Sequence, residues 1–246
     1  PTVQIESSSP SSGHPQPLDP LMHVTLNQDI DSAAVLATIK LSADGQPALP
    51  LRAATTAEIE KAGLKDLPAN RRVIFKAVSP LVPATNYAVT MGPGTPSLEG
   101  PLKTPSPQSF GFRTYDKFKV VQARCGWNDN CPPLTPFMIE FNNPIDVKKF
   151  KPSMVSVSPE LPRMKIDASG GTLVIRGESK GRTTYSVRLS SELPDSFGQR
   201  LEKEELLTFK VGSANPTLIN IGGQLAVLDP YGPPSYSVYC INHQSL

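Results

Sequence analysis

The sequence lacks any long hydrophobic run. No stretch approaches the roughly 18 consecutive apolar residues that a membrane-spanning helix needs, so direct membrane insertion is not predicted. A signal-peptide pattern is missing too, because the chain begins at Pro1 with a short polar segment. We therefore expect a mature or excised segment from which any transport signal has been removed.

An excess of charge of one sign is also missing. The 24 basic and 22 acidic residues are intermixed and leave a formal net charge of +2. Nucleic acid and anionic lipid attract clustered lysine and arginine, so the sequence predicts no nucleic-acid partner.

Motifs of the common enzyme classes do not occur. There is no glycine-rich phosphate loop, no His-Glu-x-x-His and no Gly-x-Ser-x-Gly. The three histidines, His14, His23 and His243, have no obvious carboxylate or nucleophile beside them. We predict that the chain is not an enzyme and has no catalytic residue, no cofactor site and no metal site. A hydrolase with two carboxylates stays open, because the geometry of such a site is spatial.

Cysteine is scarce, with three residues in the chain. Cys125 and Cys131 bracket a turn-prone run of Gly, Trp, Asn and Asp, which favours a local disulfide formed in an oxidising compartment. Two unrelated thiols or a zinc pair are the alternatives, although zinc would need further ligands. Closing so short a loop removes about 2 to 2.5 kcal/mol of unfolded-state freedom. Cys240 is interpreted as a buried thiol or the partner of a cysteine beyond Leu246.

Proline is plentiful, with 27 residues scattered along the chain, as expected for many short strands that end in turns. The chain also contains an internal repeat. Residues 21–31 match residues 136–146, and both are an alternating strand that ends in Asn-x-x-Ile-Asp. Further matched segments follow in the same order in each half: 72–76 with 172–176, 85–91 with 184–189, and 110–114 with 207–211.

The repeat predicts an all-β fold of tandem immunoglobulin-like β-sandwich domains, followed by the first strand or strands of a third β-domain. The expected boundaries are 1–116, 117–213 and 214–246. One helix is predicted in the first unit, where Thr55 and Glu58 form a capping box and Gly63 ends the helix. In place of this region, the second unit is expected to have a hairpin of residues 163–167 and 172–176.

Several repeated polar residues have a structural and a functional interpretation. Asp29, Asp31 and Asp146 are possible calcium ligands, but capping of a turn is favoured because calcium needs clustered oxygens. Tyr87 and Tyr185 start apolar strands and are predicted to be core residues with tethered hydroxyls. Trp127 is equally compatible with a partner contact and with a lid over the domain junction.

The repeated elements resemble the bacterial immunoglobulin-like modules that precede the macroglobulin domains of bacterial alpha-2-macroglobulins. The resemblance covers most of residues 17–211. It rests on the Asn-x-x-Ile-Asp strands, the Tyr-x-Val strands, the Asp-Ser-Phe-Gly turn at 195–198 and the closing phenylalanine strands. Residues 225–230 and 235–242 look like the start of a macroglobulin domain, with a last strand that is expected to have no hairpin partner inside the chain.

The resemblance implies a non-catalytic scaffold in a protease-trapping inhibitor that is periplasmic, anchored to the outer membrane or secreted. Its implied partners are the adjoining macroglobulin domains of the same longer chain and, through the full-length protein, host or competitor proteases. The Cys-Gly-Glu-Gln thioester motif of many relatives does not occur here. The alternatives are a cell-surface adhesive or cell-wall-binding module array, and accessory domains of a polysaccharide-degrading enzyme.

Overall fold

A computed structural model describes residues 1–66, 68–126, 131–220, 231–232 and 238–242. The chain divides into two compact units, Pro1–Lys117 and Phe118–Leu246. Almost all of the regular structure is antiparallel β-sheet, arranged as open sandwiches. The predicted all-β, immunoglobulin-like fold is confirmed.

The first unit has seven strands in two sheets. One sheet has the order β1-β2-β5-β4 and the other the order β3-β6-β7. The strands are β1 (Ile5–Ser9), β2 (Met22–Leu26), β3 (Ile39–Ala43), β4 (Leu51–Ala53), β5 (Arg72–Ala77), β6 (Asn86–Met91) and β7 (Gln108–Arg113). The helices are α1 (Ser32–Leu36), α2 (Thr56–Lys61) and the 3-10 turn Ala69–Arg71.

The second unit repeats this topology. Its sheets have the orders β8-β9-β12-β11 and β10-β13-β14, and a separate two-stranded sheet pairs β15 with β16. The strands are β8 (Val120–Cys125), β9 (Phe137–Phe141), β10 (Val155–Ser158), β11 (Lys165–Ser169), β12 (Thr172–Arg176), β13 (Thr183–Leu189), β14 (Glu205–Val211), β15 (Thr217–Asn220) and β16 (Val238–Ile241), with a 3-10 turn at Pro152–Met154.

In chain order, the seven sandwich strands of each unit form one four-stranded and one three-stranded sheet. This is the arrangement of a constant-type immunoglobulin domain, with strands A, B, E and D in one sheet and C, F and G in the other. Matched strands share the same place in both units, so β2 corresponds to β9, β5 to β12, β6 to β13 and β7 to β14. The repeat in the sequence is therefore a repeat of architecture.

Alternation along the strands places one face of each sheet in the core. In β6 the buried residues are Tyr87, Val89 and Met91, and in β13 they are Tyr185, Val187 and Leu189. These side chains pack against residues of the opposite sheet in two separate apolar clusters, one in each unit. Full burial of each large apolar side chain contributes about 1.5 to 3 kcal/mol, which makes these stripes the main stabilising feature.

Strand β5 departs from this alternation, because all of Val73–Ala77 is buried. The outward face lies under the segment that contains α2: the guanidinium of Arg72 donates to the Leu64 carbonyl, and the ammonium of Lys76 lies 3.4 Å from the Glu58 carboxylate. Helix α2 begins with the predicted capping box between Thr55 and Glu58. The segment that contains α2 therefore buries the outward face of β5, whereas the outward face of the matched strand β12 in the second unit stays half-buried or exposed.

Two expectations need correction. The helix does not stand in place of a hairpin, because β4 pairs with β5 in the first unit as β11 does with β12 in the second, and α2 lies in the connection. The last strand does have a partner inside the chain, since β16 pairs with β15. Its alternation is weak, so the sequence pattern alone did not indicate where it pairs. A third domain that starts at residue 214 stays a prediction.

Candidate functional site

The repeated Asn-x-x-Ile-Asp signature binds the backbone of its own unit. The side-chain oxygen of Asn27 accepts a hydrogen bond from the Gln4 N–H at 2.8 Å, and that of Asn142 accepts one from the Lys119 N–H at 2.9 Å. Each asparagine thereby holds the residue that leads into the first strand of its unit, β1 or β8. The signature's isoleucine is buried in both units.

The aspartates of the signature cap the turns that follow them. Asp31 accepts from the N–H groups of Ala33 and Ala34 at the start of α1, and Asp146 accepts from the Lys148 N–H at 3.1 Å. A hydrogen bond from the Lys149 ammonium is the largest cause that lowers the pKa of Asp146. The predicted capping role is therefore confirmed at both positions.

Asp29 forms an ion pair with Arg71 at 2.7 Å. That hydrogen bond is the main cause that lowers the pKa of Asp29. The guanidinium also lies 3.5 Å from the Glu99 carboxylate, which accepts from the Asp29 N–H. The Asp29–Arg71 pair links the turn after β2 to the 3-10 turn before β5, and Glu99 ties both to the loop before β7. Among the described residues, no group of three or more His, Cys, Asp or Glu side chains is placed to hold a metal ion.

The two repeated tyrosines have the role that the sequence predicts. Tyr87 and Tyr185 are 4% and 0% exposed, and their hydroxyls accept from the N–H groups of Val82 at 3.0 Å and Lys180 at 2.9 Å. This is the tyrosine corner of immunoglobulin-like sandwiches, in which the hydroxyl ties the loop before strand F. A stacking role in ligand binding is excluded for both rings by their burial.

Cys125 and Cys131 form the predicted disulfide. Cys131 is buried in the core of the second unit and its carbonyl accepts from the Gly212 N–H at 2.8 Å. The expectation that Cys240 is a buried thiol is wrong, because it is free and exposed on β16. Trp127 lies outside the described residues.

The buried carboxylate of Asp195, which is 0% exposed, has a role that the sequence patterns did not predict. It accepts from the N–H groups of Phe197 and Gln199 and from the side-chain amides of Asn143 and Gln199, at 2.7 to 3.0 Å. Four donors take up its acceptor positions, so it organises the loop between β13 and β14. The signal was the Asp-Ser-Phe-Gly turn, whose glycine adopts a φ of 87°.

A groove of about 660 Å³ runs along the side of the first unit where β1 and β7 are the edges of their sheets. One wall is the end of β1 with the chain that follows it, and the other is β7 with the start of β6. The lining residues are Ser8, Pro10, Ser11, Ser12, Asn86, Tyr87, Phe110, Gly111, Phe112 and Arg113.

Two contacts close the ends of this opening. At one end, the side chain of Gln108 accepts from the Ile5 N–H at 2.8 Å and donates to the Val3 carbonyl at 3.0 Å. At the other end, Gln16 donates its N–H to the Arg113 carbonyl at 2.8 Å and accepts from the Tyr115 N–H at 2.9 Å. The edge of β7 is therefore held at both ends and open between them.

The groove has the chemistry of a binding site. The one charged side chain among its lining residues is that of Arg113. The serine hydroxyls and the amide of Asn86 add hydrogen-bonding capacity beside an aromatic floor. This combination of apolar lining and a few polar groups is typical of ligand and peptide sites.

No protein-family model and no curated protein matches this sequence. Solved structures with some likeness include an LD transpeptidase, LdtMt1, in complex with imipenem; it is 15% identical over 68% of this chain, with a TM-score of 0.31. Another is the S-layer protein rSbsC, 13% identical over 96% of this chain, with a TM-score of 0.32. This chain spans 65% and 31% of the length of those two structures. Likeness at this level carries no argument about function.

No helix among the described residues combines the length and the apolar character needed to cross a bilayer.

Proposed function

We propose that this chain is a non-catalytic scaffold of an extracytoplasmic protein, within a bacterial protease-trapping inhibitor of the alpha-2-macroglobulin type. The observation that carries the scaffold role is the use made of the repeated polar residues. Asn27, Asn142, Asp31, Asp146 and the two corner tyrosines all bind the backbone of their own unit. Because these repeated residues serve to build the fold, they support a role of the chain in spacing and presenting adjoining domains.

The extracytoplasmic setting is supported by the Cys125–Cys131 disulfide, because such bonds persist in oxidising compartments and are rare where thiols are kept reduced. The setting in a protease trap is supported by the resemblance of the repeated motifs to modules that precede macroglobulin domains. The partners would be those domains in the same longer chain, and proteases would be met by the whole protein.

The test compares the chain alone with the product of the complete reading frame. Each is incubated with a protease, and cleavage of a large protein substrate is compared with cleavage of a small chromogenic peptide. A trap protects the large substrate while the enclosed protease still cleaves the small one. We expect this behaviour from the complete product and no inhibition by the chain alone. Inhibition by the chain alone would overturn the scaffold role.

A second candidate function is an adhesive module array, and the open groove on the first unit is the observation that favours it. If the complete reading frame encodes wall-anchoring repeats in place of further macroglobulin-like domains, the protease-trap setting falls and the adhesive function stands. The β-sandwich architecture is common to both.

A further inference from the structure

The backbone of β7 presents hydrogen-bonding groups to the groove. Thr114 donates its N–H to the Thr85 carbonyl on the β6 side, whereas the Arg113 carbonyl accepts from Gln16 on the opposite side. Successive residues of a strand point their N–H and C=O groups in opposite directions. Because β7 pairs with β6 in continuous register, the N–H and C=O groups of Gly111 and Ser109 face the opening.

In the part of the chain that the structure describes, β7 has β6 as its one strand neighbour. The two end contacts at Gln108 and Gln16 leave the edge open from Ser109 to the N–H of Arg113, a length of about 13 Å at 3.3 Å per residue. An edge with outward N–H and C=O groups is a template for another extended chain. A helix does not complement it, since a helix uses its own backbone groups internally.

The side chains around the opening specify the partner further. Phe110 is half-buried and is the aromatic side chain that the floor of the groove exposes, while Phe112 and Tyr87 line the floor from within the core. Gly111 has no side chain to cover the backbone. The guanidinium of the exposed Arg113 bonds the neutral Asn86 oxygen at 3.2 Å, and among the described residues no carboxylate pairs with it.

We propose that the β7 edge of the first unit binds an extended peptide segment of a partner protein by strand addition, with apolar and acidic residues alternating in that segment. The apolar side chains turn inward onto Phe110 and the aromatic floor, and the acidic side chains turn outward to Arg113. Backbone hydrogen bonds then provide affinity, and the alternating side chains provide selectivity. This activity goes beyond the scaffold role and does not depend on the protease-trap setting.

The probe is a fluorescein-labelled hexapeptide of alternating valine and glutamate, capped at both ends, with fluorescence anisotropy as the readout. One control peptide carries lysine in place of glutamate. A second control peptide keeps valine and glutamate but is N-methylated at alternate residues. Methylation removes the peptide N–H groups that would pair with β7 and leaves the side chains unchanged. We expect the glutamate peptide to bind at least fivefold more tightly than the lysine peptide and tenfold more tightly than the methylated one.

The protein variant is Arg113→Glu, and its matched control is Lys210→Glu, at the corresponding position of β14 in the second unit. We expect Arg113→Glu to invert the preference so that the lysine peptide binds more tightly, and Lys210→Glu to leave it unchanged. Because an inverted preference requires binding by a folded protein, misfolding cannot imitate it. Amide chemical-shift changes confined to residues 109–113 on addition of peptide would place the ligand at this edge.

Three results would overturn the proposal: no binding of the glutamate peptide, equal binding of the methylated peptide, or an equal effect of the two charge reversals. Sedimentation is measured in parallel. Self-association of the chain through this edge, with no response to peptide, would also overturn it and assign the edge to a second copy. The protease-trapping assay is unaffected by any of these results, so the two proposals fail independently.

Discussion

Cys131 occupies in the second unit the position that Gln16 occupies in the first. The Gly212 N–H donates to the Cys131 carbonyl at 2.8 Å, and the Tyr115 N–H donates to the Gln16 carbonyl at 2.9 Å. The disulfide joins residues six positions apart. Cys125 therefore corresponds to Pro10, which follows β1 and lies six residues before Gln16. The disulfide therefore crosslinks the end of β8 to a residue that bonds the backbone just after β14.

Removal of the disulfide should destabilise the second unit. We expect the double variant Cys125→Ser, Cys131→Ser to lose about 2 to 2.5 kcal/mol of unfolding free energy, because the unfolded chain regains the freedom of a short loop. Urea unfolding checks this value. Cys240→Ser is the control and should have no effect, since that thiol is free and exposed. An unchanged midpoint in the double variant would show that the crosslink adds nothing.

The tyrosine corners should contribute equally in both units. Tyr87→Phe and Tyr185→Phe each remove the acceptor for a backbone N–H and should cost about 1 to 2 kcal/mol. The effects should add in the double variant, because the residues belong to separate units and share no partner. Tyr239→Phe on the exposed face of β16 is the control. Denaturant unfolding that separates neither corner variant from wild type would contradict the assignment.

Two non-glycine residues with positive φ offer stabilising substitutions. Ala84 and Arg182 both adopt a φ of 55° three residues before a corner tyrosine. This conformation costs an L-residue about 1 kcal/mol, which glycine avoids at some entropic cost in the unfolded chain. We expect Ala84→Gly and Arg182→Gly to raise the free energy of unfolding by less than about 1 kcal/mol.

The matched control for this pair is Ala88→Gly within β6, where the backbone is extended. Glycine there should destabilise by about 0.5 to 1 kcal/mol. The melting temperature should therefore rise for Ala84→Gly and Arg182→Gly and fall for Ala88→Gly. Destabilisation by all three would mean that the conformation before the tyrosine does not strain alanine or arginine.

Stability should fall as the pH drops below about 6.5, the usual pKa of histidine. Burial, with a smaller effect of Arg72, lowers the pKa of His23 on β2, and none of the described residues forms a hydrogen bond with its Nδ1. The unfolded chain therefore binds a proton that the folded chain resists, so this contribution is present above the unfolded pKa and is lost on acidification.

Calorimetry of His23→Leu from pH 7.5 to 5.5 checks this dependence. On acidification, the melting temperature of His23→Leu should fall by less than that of wild type. The melting temperature of His14→Gln, at an exposed position, should fall by as much as that of wild type. Parallel profiles for wild type and His23→Leu would assign the pH dependence to other groups.

Local signals were the ones that the sequence carried best. The capping box of Thr55 and Glu58, the caps at Asp31 and Asp146 and the tyrosine corners all depend on residues within five positions of one another. Spacings of this kind are visible in a sequence because the hydrogen bonds they predict close within a single turn or loop. The repeat then supplied the long-range order of the strands.

The features that the sequence did not indicate depend on distant partners. Strand β1 contains three successive serines and forms because β2 offers it a hydrogen-bonded edge. Strands β15 and β16 pair although Leu218 and Tyr239 stay exposed, so no buried alternation marks the pair. The groove exists because two sheet edges lie side by side, and neither edge has a composition that announces it.

The Gln108 contact makes the first unit sensitive to deamidation of that side chain. Its amide donates to the Val3 carbonyl and accepts from the Ile5 N–H, a pairing that a carboxylate cannot make because it has no donor. Deamidation to glutamate would place a carboxylate oxygen against the Val3 carbonyl, and two acceptors repel. Hydrogen–deuterium exchange at Ile5 should therefore quicken in the Gln108→Glu variant, as that end of the opening loosens.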